Sequence, residues 1–297
     1  SSKGYPAVSL NAWQAGIFTT NEYGNARIKA IECQRIRTEL SKGRIVIVAG
    51  FQGINEYGDI TTLGRGGSDT TAVALASALN ADKCEIYTDV EGVFTADPRI
   101  VEQADKLESI SYDEMLNYTT MGAKVLHNRS VELGKSNGVK IFVRSSFSDN
   151  EGTAVEYGAE NTSKPVSGIA ADKKSVLIKV NGRNMDVFSV MTRHNIPIDM
   201  LSCSENTEFT VSEDHLKSAL DALNGFDKST VQYSKISIIG TGLQSNPAIL
   251  SDVIASLSGE NINFDMICMS ETKISLLVNR SENDRAVRTL HKKLIER

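Results

Sequence analysis

Short β-branched runs alternate with helical stretches from Pro6 to Ser146. The strand-like segments are Ala7–Leu10, Ile45–Ala49, Cys84–Thr88 and Val139–Arg144; between them lie the helix-patterned segments Gln34–Lys42, Thr70–Leu79, Tyr112–Tyr118 and Ala123–Ser136. This alternation predicts an α/β domain with a mainly parallel sheet between helices. The last helix is predicted to stop at Asn137-Gly138, because glycine readily takes the left-handed conformation that ends a helix. Between Ser145 and Pro165 the chain turns polar, so the first domain is assigned to 1–146 and a linker to 147–165.

The remainder, 166–297, contains an internal repeat. Asn195-Ile196-x-x-Asp199-Met200-x-x-x-Ser204-Glu205 recurs as Asn261-Ile262-x-x-Asp265-Met266-x-x-x-Ser270-Glu271, at a constant offset of 66 residues. Each copy follows a strand and a helix, Val176–Val180 with Asp186–His194 and Ile236–Ile239 with Pro247–Gly259, and precedes a short alternating strand and another helix. A βαββα order in both copies predicts two small α+β modules, roughly 166–233 and 234–297, packed side by side.

Composition narrows the function classes. With 40% hydrophobic residues, 23% charged residues and a net charge of -5, the chain carries no basic field for nucleic acid and no signature of disorder. No apolar run approaches a membrane span and no secretory pattern opens the chain. Cys33, Cys84, Cys203 and Cys268 are far apart and lack metal-ligand spacing, which predicts reduced core thiols, no disulfide, no metal site and a cytoplasmic protein.

Candidate chemistry begins at Gly64-Arg65-Gly66-Gly67-Ser68-Asp69-Thr70-Thr71, between an apolar run and an apolar helix. Glycines let a backbone approach a ligand closely, and the first N–H groups of a helix favour an anion. Arg65 suits a carboxylate or a phosphate equally, while Ser68 or Asp69 also fits a plain helix cap. The polar loop from Thr88 to Arg99 follows a buried-looking strand, where α/β sheets place ligands, although Gly92 and Pro98 also fit an ordinary loop. Lys124, near the start of the Ala123–Ser136 helix, could reach a phosphate as a point charge, although a surface lysine is the commoner case. Gly240-Thr241-Gly242-Leu243-Gln244-Ser245 imitates a dinucleotide fingerprint but lies inside the second repeat, with no room for the unit such a cofactor needs, and is read as a turn. No Walker sequence or protein-kinase signature set occurs.

Taken in order, these segments resemble the aspartate kinase family over nearly the whole chain. The matching stretches are Val8–Gly16, Tyr23–Ile28, Gly50–Gly53, Thr61–Thr71, Tyr87–Asp89, Phe94–Arg99 and Ala123–His127. The resemblance implies a partial amino-acid-kinase domain followed by two ACT modules. By that resemblance Arg65, Gly66, Gly67, Ser68 and Asp69 would hold aspartate beside the transferring phosphoryl group. Thr88, Asp89, Phe94, Thr95, Ala96, Asp97, Pro98, Arg99 and Lys124 would line the ATP site. The implied reaction moves the γ-phosphoryl group of ATP, with Mg²⁺, to the side chain of L-aspartate, the entry step to lysine, threonine and methionine synthesis. An ordinary carboxylate with a pKa of about 4 is already ionised at neutral pH, so the task is alignment and charge neutralisation rather than base catalysis.

Departures from the family pattern carry their own expectations. The family's opening Lys-Phe-Gly-Gly strand and loop has no counterpart, and the chain starts inside the kinase domain, so this polypeptide by itself is expected to have little or no kinase activity. Asn128 stands in place of a usual proline, Phe94 in place of a tyrosine, and Asn181-Gly182-Arg183-Asn184 in place of the usual effector turn. The ACT resemblance implies feedback inhibition by lysine, threonine or both, and a homodimer through these modules. The effector residues would be Asn181, Asp186, Asp199, Ser204 and Glu205 in the first copy and Asn261, Asp265 and Ser270 in the second, although aspartates after helices also make ordinary turns. Two other readings stay open: a non-catalytic amino-acid-binding regulatory polypeptide, and a different amino-acid kinase acting on glutamate or carbamate.

Overall fold

A computed structural model of the chain describes residues 3–120, 125–159 and 165–296. They form two compact units, the first made of residues up to Val93, 106–120 and 125–159, the second of Phe94–Asp105 and 165–296.

The first unit runs β1 (Ala7–Leu10), β2 (Ile17–Thr19), β3 (Ile28–Ile31), α1 (Gln34–Ser41), β4 (Ile45–Val48), β5 (Gln52–Ile54), β6 (Ile60–Thr62), α2 (Gly67–Leu79), β7 (Cys84–Thr88), β8 (Ser109–Ile110), α3 (Tyr112–Thr120), α4 (Asn128–Asn137), β9 (Ile141–Ser145) and β10 (Thr153–Val155). The expected parallel pairing is present between β1 and β4 and between β7 and β9. It is accompanied by antiparallel pairs β2–β3, β5–β6 and β9–β10, so the strands fall into three small sheets. Helix α2 buries Val73, Ala74 and Ala76, small side chains that allow close packing. Helix α4 ends at Gly138, whose φ of 66° is the left-handed stop expected from Asn137-Gly138. It begins only at Asn128, later than the helical pattern suggested, because His127 is extended and its ring accepts a hydrogen bond from the Arg129 N–H. Lys124 lies outside the described residues.

The second unit runs β11 (Val166–Val180), α5 (Asp186–Arg193), β12 (Leu201–Cys203), β13 (Thr207–Ser212), α6 (Glu213–Ala222), β14 (Lys228–Gly240), α7 (Pro247–Gly259), β15 (Phe264–Met269), β16 (Lys273–Asn279) and, after a 3-10 turn at Arg280–Glu282, α8 (Asn283–Leu294). One antiparallel sheet in the order β12-β13-β11-β14-β16-β15 carries both βαββα copies. The copies are interleaved rather than sequential. Ser175–Val180 of β11 pairs with Lys228–Tyr233 of β14, and Val166–Asp172 with Lys235–Gly240, with a register shift between Asp172 and Ser175. Each long strand therefore serves both modules, and a cut between 233 and 234 would fall inside β14.

Two helix-covered cores lie on this sheet. In the first module Val176, Ile178, Val180, Phe209 and Val211 meet Val187 and Met191 of α5 and Ala219 of α6. In the second, Ile236, Ile238, Ile274, Leu276 and Val278 meet α7 and α8, joined by Ala96 and Val101 from the Phe94–Asp105 segment. Leu177, Met200 and Leu277 cluster separately with Tyr233, Met266 and Cys268. Strand side chains alternate in direction, so this third cluster occupies the helix-free face.

The repeated Asn-Ile pair has a structural cause. Asn195 and Asn261 adopt φ of 53° and 55°, and the following Ile196 and Ile262 send their N–H groups back to Met191 O at 3.0 Å and Leu257 O at 2.9 Å. Both isoleucines are buried, completing a hydrophobic helix stop. Asn195→Ala is expected to lower stability by about 1 kcal/mol, because alanine keeps a β-carbon in the left-handed region without the short polar side chain that lets asparagine offset it, while Asn195→Gly, which removes the β-carbon, is neutral or stabilising. Urea denaturation of the three proteins checks this ordering.

Candidate functional site

The segment from Gly64 to Thr71 folds as a turn running into α2. Gly64 and Gly66 have φ of 77° and 67°, and Gly66 is the N-cap residue. A β-carbon on Gly66 would lie 2.2 Å from His127 Cβ, and one on Gly67 would meet Phe51 Cδ2 at 2.8 Å and Leu63 Cβ at 2.9 Å. Glycine is required there by close approach as well as by backbone angle. No side chain caps this helix end, so neither Ser68 nor Asp69 acts as the N-cap. Both lie inside the first turn, where Ser68 Oγ donates to Asp69 Oδ1 at 3.3 Å. Thr70 and Thr71 hydroxyls return to Gly66 O at 3.0 Å and Gly67 O at 2.7 Å, and Thr71 Oγ1 also accepts the Phe51 N–H at 3.1 Å.

Asp69 is the electrostatic centre of this turn. Burial pushes its carboxyl up from the ordinary value, against the Ser68 hydrogen bond, the charge of His127 and hydrogen bonds from the His127 and Asp69 backbone, which all pull it down. Arg65 is exposed one position before Gly66. The turn thus presents a cation, glycine backbone and a half-buried carboxylate on consecutive residues. His127 encloses the turn, touching Gly66 and Asp69 together. Behind it, Arg129 donates to Leu63 O at 3.1 Å. Beside α2 and α4 a cavity of about 290 Å³ is lined by Arg27, Leu63, Thr70, Arg129 and Glu132.

The residues expected at the nucleotide divide between the units. Thr88 and Asp89 close β7 in the first unit, with Thr88 Oγ1 donating to Asp89 Oδ1 at 3.1 Å. Phe94 to Arg99 fold with the second unit. Within it, Thr95 is buried, its hydroxyl 2.9 Å from His291 Nε2 and accepting the Asp105 N–H at 3.0 Å, and its carbonyl accepts the Ile169 N–H at 2.7 Å. Ala96 is part of that unit's core. Asp97 and the exposed Arg99 form an ion pair at 2.7 Å, which holds the Asp97 carboxyl below its usual range; Pro98 is exposed between them.

The expected effector residues are scattered along the second unit. The Asn181 amide donates to Asp227, Asp186 opens α5, and Ser204 and Glu205 are exposed in the turn before β13. Ser270 donates to Lys273 O at 3.3 Å. Asp199 pairs with Lys235, whereas Asp265 accepts the Tyr233 hydroxyl at 2.8 Å. Asn261 and Asp265 share a cavity of about 430 Å³ with Tyr233, Asn263, Phe264, Asn279, Ser281 and Glu282. Periodicity and spacing gave no signal for Tyr233 or Lys235, whose partners are distant in sequence.

Among the described residues no helix is long and apolar enough to cross a membrane, and no cluster of three or more His, Cys, Asp or Glu could hold a metal ion. The raised Asp69 carboxyl generates a stability prediction. A carboxyl whose folded pKa lies above its unfolded value contributes stability below the unfolded pKa and loses it as pH rises through the folded one. Asp69→Asn is therefore expected to be more stable than the parent at neutral pH, with the difference vanishing below about pH 3.8. Denaturant midpoints measured across that range check it.

Comparison with known proteins matches residues 1–145 to the amino acid kinase family and residues 236–294 to the ACT domain. An aspartokinase from Bacillus sp. (strain MGA3) is 42% identical over 313 residues, spanning 98% of this chain and 76% of that protein. The structure of E. coli aspartokinase III in complex with aspartate and ADP (R-state) superposes with a TM-score of 0.84 at 28% identity, covering 98% of this chain and 70% of that one. The same enzyme in complex with lysine and aspartate (T-state) gives 0.77 at 28% identity, covering 97% and 69%.

Proposed function

This chain belongs to the aspartokinase family, and we propose that it transfers the γ-phosphoryl group of ATP to the side-chain carboxylate of L-aspartate, giving ADP and 4-phospho-L-aspartate. The observation that carries the reading is the Gly64–Asp69 turn, where a cation, close backbone and a half-buried carboxylate are held together at the start of α2. The aspartate and ADP bound to the E. coli relative supply the chemical class of the two substrates.

In this proposal the planar fork of Arg65 takes a substrate carboxylate in two parallel hydrogen bonds, while the start of α2 favours the incoming anion. ATP enters as its Mg²⁺ complex. The acceptor oxygen is already anionic, so attack on the γ-phosphorus needs no proton removal, and the protein's contribution is to hold two anions in line. Asp69, enclosed by His127, orients the turn. Thr88, Asp89 and the segment Phe94–Arg99 serve the nucleotide, with Thr95 and Ala96 acting through the shape of that segment because both are buried.

Feedback control by lysine, threonine or both at the ACT modules completes the reading, supported by the ACT match and by the lysine bound to the T-state relative. A homodimer through the ACT sheet fits its two edge strands, β12 and β15. Free thiols at all four cysteines fit a reducing cytoplasm.

A catalytically competent preparation is expected to release ADP in strict dependence on L-aspartate and to form an acyl phosphate that hydroxylamine traps. L-Glutamate or carbamate used at a comparable rate would defeat the assignment. In that protein Arg65→Ala is expected to lower kcat/KM for aspartate by about 100-fold or more, with Arg65→Lys recovering only part, because an ammonium cannot reproduce the fork.

A further inference from the structure

An imidazole is costly to bury unless both of its ring nitrogens are met. His291 lies on α8 beside Leu290 of the second unit's core, with its side chain sealed from water. Its Nδ1 stands 3.0 Å from Glu296 Oε1, and its Nε2 stands 2.9 Å from the Thr95 hydroxyl. A carboxylate only accepts, so Glu296 holds the proton of the neutral ring on Nδ1 and leaves Nε2 as an acceptor. The Thr95 hydroxyl therefore donates to Nε2, while its oxygen accepts the Asp105 N–H at 3.0 Å. From Glu296 to Asp105 every group takes the role that its neighbour requires.

The same helix pins the segment a second time. Arg288, three residues before His291 and so on the same face of α8, donates to Ile100 O at 2.8 Å. Thr95 and Ile100 bracket Asp97, Pro98 and Arg99. Between these two pins the Ile100 and Val101 N–H groups close on Asp97 O at 2.9 Å each, and the Asp97–Arg99 ion pair stands at the surface. Thr95 also donates its own N–H to Asp105 O at 2.9 Å, which joins the two limbs of the excursion. Helix α8 thus sets where the polar tip stands without contributing a residue to it.

We propose that His291 is a positioning residue for the nucleotide: through the Thr95 hydroxyl, its Nε2 fixes the Asp97–Arg99 tip in the arrangement that receives ATP. This rests on the reading that Phe94–Arg99 serves the nucleotide. A leucine at position 291 would fill the same hydrocarbon without the cost of desolvating a polar ring. What the imidazole adds is two directed hydrogen bonds, which specify one placement of Thr95 and, through the paired limbs, one placement of the tip. His291 touches neither substrate in this scheme, so its loss falls on ATP binding and spares the aspartate carboxylate.

The test compares two amides in a catalytically competent preparation. His291→Gln carries its amide oxygen far enough to take the Thr95 hydroxyl, whereas the shorter His291→Asn reaches only the position of Nδ1 beside Glu296. In ADP-release assays His291→Asn is expected to raise KM for ATP about tenfold, with kcat and KM for L-aspartate within about twofold of the parent, and His291→Gln to stay within about threefold throughout. Thr95→Val removes the hydroxyl with α8 untouched and is expected to repeat the rise seen in His291→Asn. Equal shifts in the two amides, a rise shared by L-aspartate, or a parent-like KM for ATP in Thr95→Val would each overturn the assignment. If circular dichroism shows that His291→Asn does not fold, Thr95→Val decides alone. Arg99→Ala separates the proposal from the reading beneath it: an unchanged KM for ATP there would remove the nucleotide role of the segment, and the role of His291 with it.

Discussion

The antiparallel pairing of β11 with β14 is the constraint on which the second unit depends. Fifteen residues of one strand and thirteen of the other pass through both modules, so neither module owns a complete sheet. The helices separate into two cores, but the backbone hydrogen bonds do not. A one-residue shift of register exchanges the two faces of a strand, and the shift between Asp172 and Ser175 does so at the junction of the modules: Ile169 faces one core, and Val176, Ile178 and Val180 face the other.

The Phe94–Asp105 segment shows the same economy of construction. Leu107 donates to Val93 O at 2.8 Å, and Thr95 donates to Asp105 O at 2.9 Å, so the two limbs of the excursion are tied to each other. Inside the second unit Ala96 and Val101 enter the core, Arg288 donates to Ile100 O at 2.8 Å, and His291 stands against Thr95. His291 is itself buried, with Glu296 3.0 Å from its other ring nitrogen. Both nitrogens thus have partners, which is what an imidazole sealed from water requires. Thr95, which a kinase reading assigns to the nucleotide, is consequently held by a side chain of α8 in its own unit.

Much of this was legible in the chain. The alternation before Ser146 marked an α/β domain, the 66-residue offset marked a duplicated βαββα unit, and Asn137-Gly138 marked the end of α4. These are local signals, written in periodicity and in residues that tolerate positive φ. The interleaving of β11 and β14 was not legible, because a long strand reads the same whether one module or two use it. Nor was the role of His127: its position 61 residues after Gly66 carries no trace of the missing β-carbon that admits its ring. The helical pattern before Asn128 was misleading for a related reason. A side chain that caps a helix from the extended conformation ends the periodicity by geometry, not by composition.

Burial decides what each acidic residue in this chain can do, and sequence identity does not. Glu39 is buried but surrounded by Arg35, Lys42 and Arg44, which together hold its carboxyl below the ordinary value although burial, the largest single influence, pushes the other way. Such an acid is a structural tie. Asp69 is half-buried with weaker compensation, and its carboxyl is held above the ordinary value. Keeping such a carboxyl ionised at neutral pH costs the fold stability. The repeat contains the same contrast within one motif. Asp199 and Asp265 are the same letter at the same offset, yet a lysine on β14 neutralises one and a tyrosine two residues earlier leaves the charge of the other intact. Because β14 is shared, two positions of a single strand, Tyr233 and Lys235, make the two carboxylates inequivalent.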